Sequence, residues 1–122
     1  GYLDSYDQAG LRGRRSVFAH CIHLDDSEWE RLAQTESTIA FCPTSNLFLG
    51  SGLFHLSRAV EQKIRVGLGT DVGGGTSFSI LQTLNEAYKV LHLNGQALPA
   101  TRALYLAKLG AAVSLYLDDK IV

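Results

Sequence analysis

The most informative segment of this chain is Val66-Gly67-Leu68-Gly69-Thr70-Asp71-Val72-Gly73-Gly74-Gly75. Val66 and Leu68 favour a strand, and the lack of a polar residue between them is typical of a parallel strand covered on both faces. Asp71 follows at the end of this strand, and three glycines come soon after it. In parallel α/β sheets and barrels, ligands bind and catalytic groups lie at that carboxyl edge. The segment therefore predicts a functional carboxylate beside a glycine-rich turn.

The composition is that of an ordinary globular domain. Of the 122 residues, 46% are hydrophobic, and 11 basic residues nearly balance 12 acidic ones. This balance argues against nucleic acid or a membrane as the main partner, and no apolar run reaches the roughly 18 residues that a membrane span needs. Two cysteines are too few for a disulfide framework, so we expect a cytoplasmic protein. The chain has no methionine, which predicts that Gly1 is not a native start and that the chain is a piece of a larger protein.

Strand-like and helix-like segments alternate along the chain. The expected strands cover 16–21, 38–42 and 66–71. The expected helices are a short one near the start, followed by 27–36, 53–63, 77–94, 99–109 and 111–117. Repeating βα units imply parallel strands joined by right-handed crossovers. Because a closed barrel needs roughly twice this length, we expect an α/β fold of about three βα units, the C-terminal half of a (β/α)₈ TIM barrel.

Local signals predict where helices begin and where the chain turns. Ser27 and Glu30 have the spacing of a capping box. Pro43 is expected to end the second strand, before an irregular loop over 44–52 that is rich in turn-forming residues. The basic residues near the start are expected to form a solvated face: Arg12, Arg14 and Arg15.

His20 and Asp71 are the residues most suited to chemistry. Each ends a predicted strand, so both should reach the same rim of the barrel. Imidazole and carboxylate are ligand types for zinc and iron, and both groups can move protons during hydrolysis. The alternative is a core histidine bonded to a backbone carbonyl and an aspartate that caps the loop before Ser77. The spacing alone favours neither interpretation.

The remaining histidines and the two cysteines have simpler interpretations. His23 lies in a segment that leaves a strand, so we expect it to line or flank the pocket. His55 and His92 fall in predicted helices and are expected to be surface or packing residues. Cys21 and Cys42 lack the paired Cys-x-x-Cys spacing of a structural zinc site, and we expect them to be buried thiols.

Three motifs, in this order, resemble the amidohydrolase superfamily. They are Phe18-Ala19-His20-Cys21-Ile22-His23-Leu24, Cys42-Pro43-Thr44-Ser45-Asn46-Leu47 and Gly67-Leu68-Gly69-Thr70-Asp71. Within the superfamily, the segments similar to guanine deaminases are Asn46-Leu47-Phe48-Leu49-Gly50-Ser51-Gly52-Leu53-Phe54 and Asp71-Val72-Gly73-Gly74-Gly75-Thr76-Ser77-Phe78-Ser79. The resemblance covers nearly the whole chain, and three ordered motifs are more specific than any one of them.

The resemblance implies a barrel with one divalent metal ion at its carboxyl rim, zinc or alternatively iron. It implies that Asp71 is a metal ligand that takes a proton from the attacking water, and that His20 contacts that water or the substrate. The implied reaction is hydrolytic deamination of guanine to xanthine and ammonia, by a water whose pKa the metal lowers toward neutrality. The segment 42–52 would lie beside the substrate pocket. The implied partner is a small purine, and the implied assembly is a homodimer, for which these residues carry no interface signal of their own.

Other parts of the family pattern have no counterpart in this sequence. The first-strand His-x-His, the fifth-strand histidine and its nearby glutamate would lie before Gly1, and the small β-sandwich is absent as well. A catalytic zinc normally has three protein ligands. We therefore expect 1–122 to be a partial barrel domain that, alone, neither binds metal well nor deaminates guanine.

Two other functions stay open at this point. The barrel could act on another aminated or chlorinated heterocycle, as an adenosine-type deaminase or a chlorohydrolase. It could also be a non-catalytic barrel fragment that needs a partner chain to fold or assemble. The presence of both His20 and Asp71 argues against this last function.

Overall fold

The computed structural model describes residues 1–121, in which strands and helices alternate as the sequence predicts. The strands are β1 (Val17–Ala19), β2 (Thr38–Phe41) and β3 (Val66–Leu68). The helices are α1 (Asp4–Gln8), α2 (Asp26–Gln34), α3 (Pro43–Phe48), α4 (Leu56–Glu61), α5 (Ile80–Leu93), α6 (Ala100–Ala107) and α7 (Leu109–Ser114). Within residues 1–121, no helix is both long enough and apolar enough to cross a membrane.

The strands form one parallel sheet in the order β1-β2-β3. Phe18 pairs with Ile39, and Ala40 pairs with Gly67. Parallel neighbours need crossover connections; α2 lies in the first, and α3 and α4 lie in the second. Because all the strands point the same way, their carboxyl ends share one edge of the sheet, as the sequence predicts.

The apolar core lies between the sheet and its helices. Ile39 and Phe41 on β2 are fully buried, and the ring centroids of Phe41 and Phe54 are 4.8 Å apart. Trp29 and Leu32 contribute the apolar face of α2 to the same cluster. Burial of one large apolar side chain stabilises a fold by about 1.5–3 kcal/mol, so this cluster is what holds α2 onto the sheet.

Each strand is shorter than its apolar run. The prediction of a strand over 16–21 is too long, because His20 and Cys21 have φ values of 67° and 51°. A strand cannot continue through that left-handed region. β2 and β3 also end before the predicted limits of 42 and 71. The strand ends therefore turn sharply at the edge where the candidate residues lie.

The helix after β1 has a different cap from the predicted one. Asp25 is the N-cap of α2, and its carboxylate accepts a hydrogen bond from the Glu28 amide at 2.9 Å. The Glu28 side chain accepts in return from the Asp25 amide at 3.0 Å. The predicted capping box of Ser27 and Glu30 is therefore wrong: Asp25 and Glu28 have the same spacing, and aspartate is as good an N-cap as serine.

The later helices also begin at other residues than the sequence pattern predicts. Ser79, not Ser77, caps α5, since its hydroxyl accepts a hydrogen bond from an amide of the first turn at 3.2 Å. Pro99 is the N-cap of α6 rather than its first residue. α4 begins later than 53, and α7 begins and ends earlier than 111–117.

The segment after β2 begins as a helix, so the prediction of an irregular loop over 44–52 is wrong for its first part. Pro43 ends β2 and also occupies the first position of α3, where its fixed φ suits a helix and no amide hydrogen is needed. Thr44, Ser45 and Asn46 are buried on this helix. Side chains that are typical of turns are thus directed inward instead of into solvent.

A buried carboxylate holds the first residues of the chain against α2. Glu28 is 3% exposed, and its side chain accepts a hydrogen bond from the Leu3 amide at 2.7 Å. Leu3 is itself fully buried in the core. The short helix α1 is therefore fixed by a long-range contact as well as by its own turns.

The basic residues near the start do not share one environment. The expectation of a solvated face is wrong for Arg12, whose side chain is 2% exposed. Arg14 and Arg15 are exposed, and each guanidinium carbon lies 5.9 Å from the centroid of the Tyr116 ring. Two of the three arginines thus pack on an aromatic face, where cation–π attraction stabilises them.

Candidate active site at the carboxyl edge of the sheet

His20 and Asp71 meet at the carboxyl edge of the sheet. His20 follows β1 directly and Asp71 lies just beyond β3, so they come from the two strands that flank β2. The distance between Nε2 of His20 and Oδ2 of Asp71 is 3.7 Å. The two side chains are 42% and 39% exposed, so a ligand can reach both from solvent. The geometry brings together the pair that the sequence predicts to share this rim.

Asn46 is the third member of this arrangement, and the sequence pattern alone does not single it out. Its Oδ1 lies 2.8 Å from Nδ1 of His20, the ring nitrogen opposite the one that faces Asp71. This side-chain contact replaces the backbone carbonyl expected for a simple core histidine. The available signal was Pro43 directly after a strand, which favours the first turn of a helix. A helix at that point carries Asn46 into the interior.

The turn after β3 fixes the direction in which Asp71 leaves the sheet. Asp71 has a φ of 47°, and its carbonyl accepts a hydrogen bond from the Gly75 amide at 2.5 Å. A Cβ at position 75 would lie 2.2 Å from the carbonyl oxygen of Thr70. No side chain fits there, so glycine is what allows the chain to fold back tightly beside the carboxylate.

An open cleft of about 300 Å³ adjoins His20. Its lining includes the apolar side chains of Ile22 and Leu24. His23 lines it too, as the sequence predicts, and its Nε2 lies 2.8 Å from the carbonyl oxygen of Ser51. That contact ties the chain after β1 to the segment that follows α3. An apolar cleft with a few polar groups at its edge suits a small, flat ligand.

Cys21 and Cys42 are free and buried, as predicted. Burial raises the pKa of the Cys21 thiol to about 12. Burial, together with the negative charge of Asp71, raises the pKa of the Cys42 thiol to about 11. Thiols that keep their protons at neutral pH are poor nucleophiles and poor metal ligands. The reactive groups at this edge are therefore the imidazole and the carboxylate.

The structure does not bring His55 or His92 to this edge. His55 is an exposed residue at the N-cap of α4. His92 is exposed on α5, and its ring centroid lies 4.3 Å from that of Tyr88. Both positions fit the expectation of surface or packing residues.

The donor atoms at this edge fit part of a metal site. A carboxylate oxygen is a ligand that zinc accepts, and the Asp71 side chain is 39% exposed, with no lysine or arginine paired to it among residues 1–121. Among residues 1–121, however, no group of three or more His, Cys, Asp or Glu side chains is placed to hold a metal ion. Since catalytic zinc normally has three protein ligands, the described residues supply only part of a ligand set.

Comparison with known proteins places this geometry in a family. Residues 1–121 match the Amidohydrolase family. The chain is 64% identical over 121 residues to guanine deaminase from Escherichia coli, with coverage of 99% of this chain and 28% of that protein. The solved structure of E. coli guanine deaminase matches this fold with a TM-score of 0.97, again over 99% of this chain and 28% of the other.

Two further solved structures are similar and contain a bound group. Guanine deaminase from C. acetobutylicum, with guanine in its active site, matches with a TM-score of 0.87 and 29% identity, over 93% of this chain and 29% of that one. An adenosine deaminase from Xanthomonas campestris, with bound zinc, matches with a TM-score of 0.86 and 26% identity, over 98% of this chain and 28% of that one.

The similarity concerns one segment of a larger fold. The chain spans 28% of the length of the E. coli protein that it matches. The prediction of parallel βα units from a (β/α)₈ barrel is confirmed, since the sheet and its helices correspond to a segment of that fold. The three motifs that suggested the family lie at the carboxyl ends of β1, β2 and β3. On its match over residues 1–121, the chain belongs to the amidohydrolase family.

Proposed function

We propose that this chain is the part of a guanine deaminase that supplies His20 and Asp71 to the active site. The reaction breaks the bond between a ring carbon and the exocyclic amino group, so that guanine and water give xanthine and ammonia. The observation that carries the proposal is the meeting of His20 and Asp71 in a segment 64% identical to E. coli guanine deaminase. The site chemistry alone would also suit other amidohydrolases, and the identity is what favours guanine.

Asp71 is proposed to bind a divalent metal ion, zinc or alternatively iron, and to take a proton from the attacking water. When bound, such an ion lowers the pKa of water toward neutrality. The carboxylate is suited to both tasks because no lysine or arginine in the described part of the chain pairs with it. The tight turn after β3 holds it at the edge of the sheet.

His20 is proposed to contact the attacking water or the substrate through Nε2. That nitrogen lies 3.7 Å from the carboxylate of Asp71, so one water molecule beside the pair can bond to both. The flat purine would lie in the adjoining apolar cleft, which Ser51 of the segment 42–52 lines. Released ammonia then carries away a proton that the water supplied.

The rest of the active site is proposed to come from a longer polypeptide, called here the full-length protein, in which 1–122 forms a partial barrel domain. Two observations support this: the chain spans 28% of its E. coli relative, and the residues described here offer fewer than three metal ligands. We propose that the full-length protein is a cytoplasmic homodimer, in keeping with its free thiols and with the resemblance to its family. The chain of 122 residues alone is expected to be inactive.

Guanine deamination by the full-length protein tests the proposal. The wild-type protein should form xanthine and release ammonia. Asp71→Asn should lower kcat/KM by about 10³-fold and reduce the bound metal, and His20→Gln should lower kcat/KM by about 10²-fold. The matched controls are His55→Gln and Asp118→Asn, which alter exposed residues of the same types elsewhere on the surface and should leave the rate unchanged.

The outcomes separate the functions that the sequence left open. Preference for adenosine or a chlorinated triazine over guanine would favour another amidohydrolase. A full-length protein that holds no metal and acts on neither guanine, adenosine nor a chlorinated triazine would favour the non-catalytic function. Wild-type activity in Asp71→Asn would contradict the assignment of that residue. Turnover by the isolated chain would contradict the claim that its ligand set is incomplete.

A further inference from the structure

Asn46 is an unfavourable residue to bury, and this points to a specific role. It is 2% exposed, and among the described residues its Nδ2 has no hydrogen-bond partner. A buried amide group without a partner lowers stability, whereas an apolar side chain of similar volume avoids that loss. Stability alone would thus favour leucine at this position. What leucine could not provide is the contact with His20.

The contact determines which nitrogen of His20 carries a proton. The amide oxygen of Asn46 has lone pairs and no hydrogen, so it can only accept. Nδ1 of His20, 2.8 Å away, is therefore the donor, and Nε2 of the neutral ring keeps a free lone pair. Nε2 is the nitrogen that lies 3.7 Å from Asp71. The free lone pair is thus directed to the place where the proposed water binds.

Asn46 is well placed to hold the ring because it is itself fixed. It lies on α3, its backbone amide donates to the Cys42 carbonyl at 3.1 Å, and its backbone carbonyl accepts from the Ser51 amide at 2.9 Å. The imidazole, by contrast, is 42% exposed at the end of a strand. Within residues 1–121, Asn46 is the one group that hydrogen-bonds to that ring.

We propose that Asn46 is a positioning residue that holds His20 in the Nδ1-protonated tautomer, with Nε2 directed to Asp71. This positioning role rests on the proposed function of His20, and it explains how the imidazole ring is held in the orientation that this function needs. Without the amide oxygen, the ring can rotate and exchange tautomers, so that Nε2 accepts a hydrogen bond from water in only a fraction of molecules. Substrate binding should change little, because Asn46 does not reach the surface.

Three variants of the full-length protein test the effect on turnover. Asn46→Leu keeps the volume and removes the acceptor, and it should lower kcat by about 10- to 100-fold with little change in KM. Asn46→Asp keeps an acceptor oxygen and should restore most of kcat. The matched control is Thr44→Val, on the same helix. Thr44 is 5% exposed and its Oγ1 has no partner among the described residues, so kcat should stay at the wild-type value.

The tautomer can be measured without any reference to activity. In metal-free protein with ¹⁵N-labelled histidine, at a pH where the ring is neutral, the signals of His20 are identified by their loss in His20→Gln. The wild-type protein should show Nδ1 protonated and Nε2 free, and Asn46→Leu should show a mixture. An Nε2-protonated His20 in the wild-type protein would overturn the proposal, even if the leucine variant did not fold.

The failure of this inference differs from the failure of the proposed function. If His20→Gln keeps its activity, the proposed function of His20 is wrong. If His20→Gln is inactive but Asn46→Leu keeps both kcat and the wild-type tautomer, only the positioning role is wrong. Loss of activity in Asn46→Asp and Thr44→Val alike would also overturn it, since damage to α3 would then explain all the variants.

Discussion

The two ends of this sheet hold their polar groups in opposite ways. At the carboxyl end, His20 and Asp71 lie 3.7 Å apart and are open to solvent. At the amino end, Thr38 is 2% exposed, and its hydroxyl donates to the Ser114 carbonyl at 3.2 Å. In a βα barrel, polar residues at the carboxyl end serve function and those at the amino end serve stability. The two ends therefore differ in accessibility. The polar pair at the carboxyl end can bind a ligand from solvent, whereas the hydroxyl at the amino end is buried and already hydrogen-bonded within the protein.

Backbone strain does not distinguish the two ends. Positive φ values occur before all the strands as well as after β1 and β3. The residues before the strands are Arg15, Glu36 and Lys63, with φ values of 69°, 53° and 57°. These positions are simply turns that lead into strands. At the carboxyl end, positive φ is relevant to function only because it occurs at His20 and Asp71, which carry exposed reactive side chains.

Among variants that keep both His20 and Asp71, the largest effect should come from displacing the turn that carries Asp71. Gly75→Ala places a Cβ 2.2 Å from the Thr70 carbonyl oxygen, so the turn must shift and carry the carboxylate with it. Displacement of a catalytic group by about 1 Å costs about 100-fold in rate, and we expect a loss of that size in guanine turnover by the full-length protein.

Gly95→Ala is the matched control for that variant. Gly95 follows α5 and has a φ of 68°, and a Cβ there would meet nothing within 4 Å. It introduces backbone strain of about 1 kcal/mol without a collision. A wild-type rate in Gly75→Ala, or an equal loss in Gly95→Ala, would contradict a special role for the turn after β3.

The pair at the carboxyl end could be predicted from the sequence because the inference requires only that the strands be parallel. Parallel strands share an edge, so a histidine and an aspartate at two strand ends converge wherever the exact ends fall. Predicting the role of Asn46 requires more structural information. Its contact with His20 depends on a helix that begins at Pro43 and on the inward direction of the Asn46 side chain. The strand ends themselves were missed because positive φ at His20 and Cys21 leaves no mark in an apolar run.

The helix caps show a second reason why local patterns fail. Two capping boxes overlap after β1, and spacing alone does not choose between them. Glu28 belongs to the box that forms, and its carboxylate also accepts a hydrogen bond from the Leu3 amide. That contact spans 25 residues, so no window of local sequence contains it. Tertiary structure selects the cap.

A moderate effect should come from the amino end and should appear in stability alone. Thr38→Val removes the hydroxyl that bonds the Ser114 carbonyl and keeps the shape of the side chain. We expect a loss of about 1 kcal/mol in the free energy of unfolding and no change in guanine turnover, measured by urea unfolding and by rate on one preparation. Thr101→Val, at an exposed position of α6, should change neither. A fall in rate without a fall in stability would show that the amino end also serves function.

The effect that is smallest at neutral pH concerns the buried thiols beneath the carboxyl end, and it appears only in alkali. Burial raises the pKa of Cys21 from 9.0 to about 12 and that of Cys42 from 9.0 to about 11. Above about pH 9 the unfolded chain releases thiol protons that the folded chain keeps, so the free energy of unfolding should fall as the pH rises.

This contribution can be isolated by denaturant unfolding at about pH 8 and about pH 10.5. The wild-type protein is compared with the double variant Cys21→Ala with Cys42→Ala, because the other titrating groups are common to both proteins. The wild-type protein should lose more stability between the two pH values than the variant does. Iodoacetamide at the lower pH should modify these thiols only after unfolding, since the thiolate is the reactive form. A parallel loss in both proteins, or rapid modification of the folded one, would mean that solvent reaches below His20 and Asp71. Solvent access at the carboxyl end would then extend to the thiols below the surface pair, and the two ends would differ in the accessibility of their interiors as well.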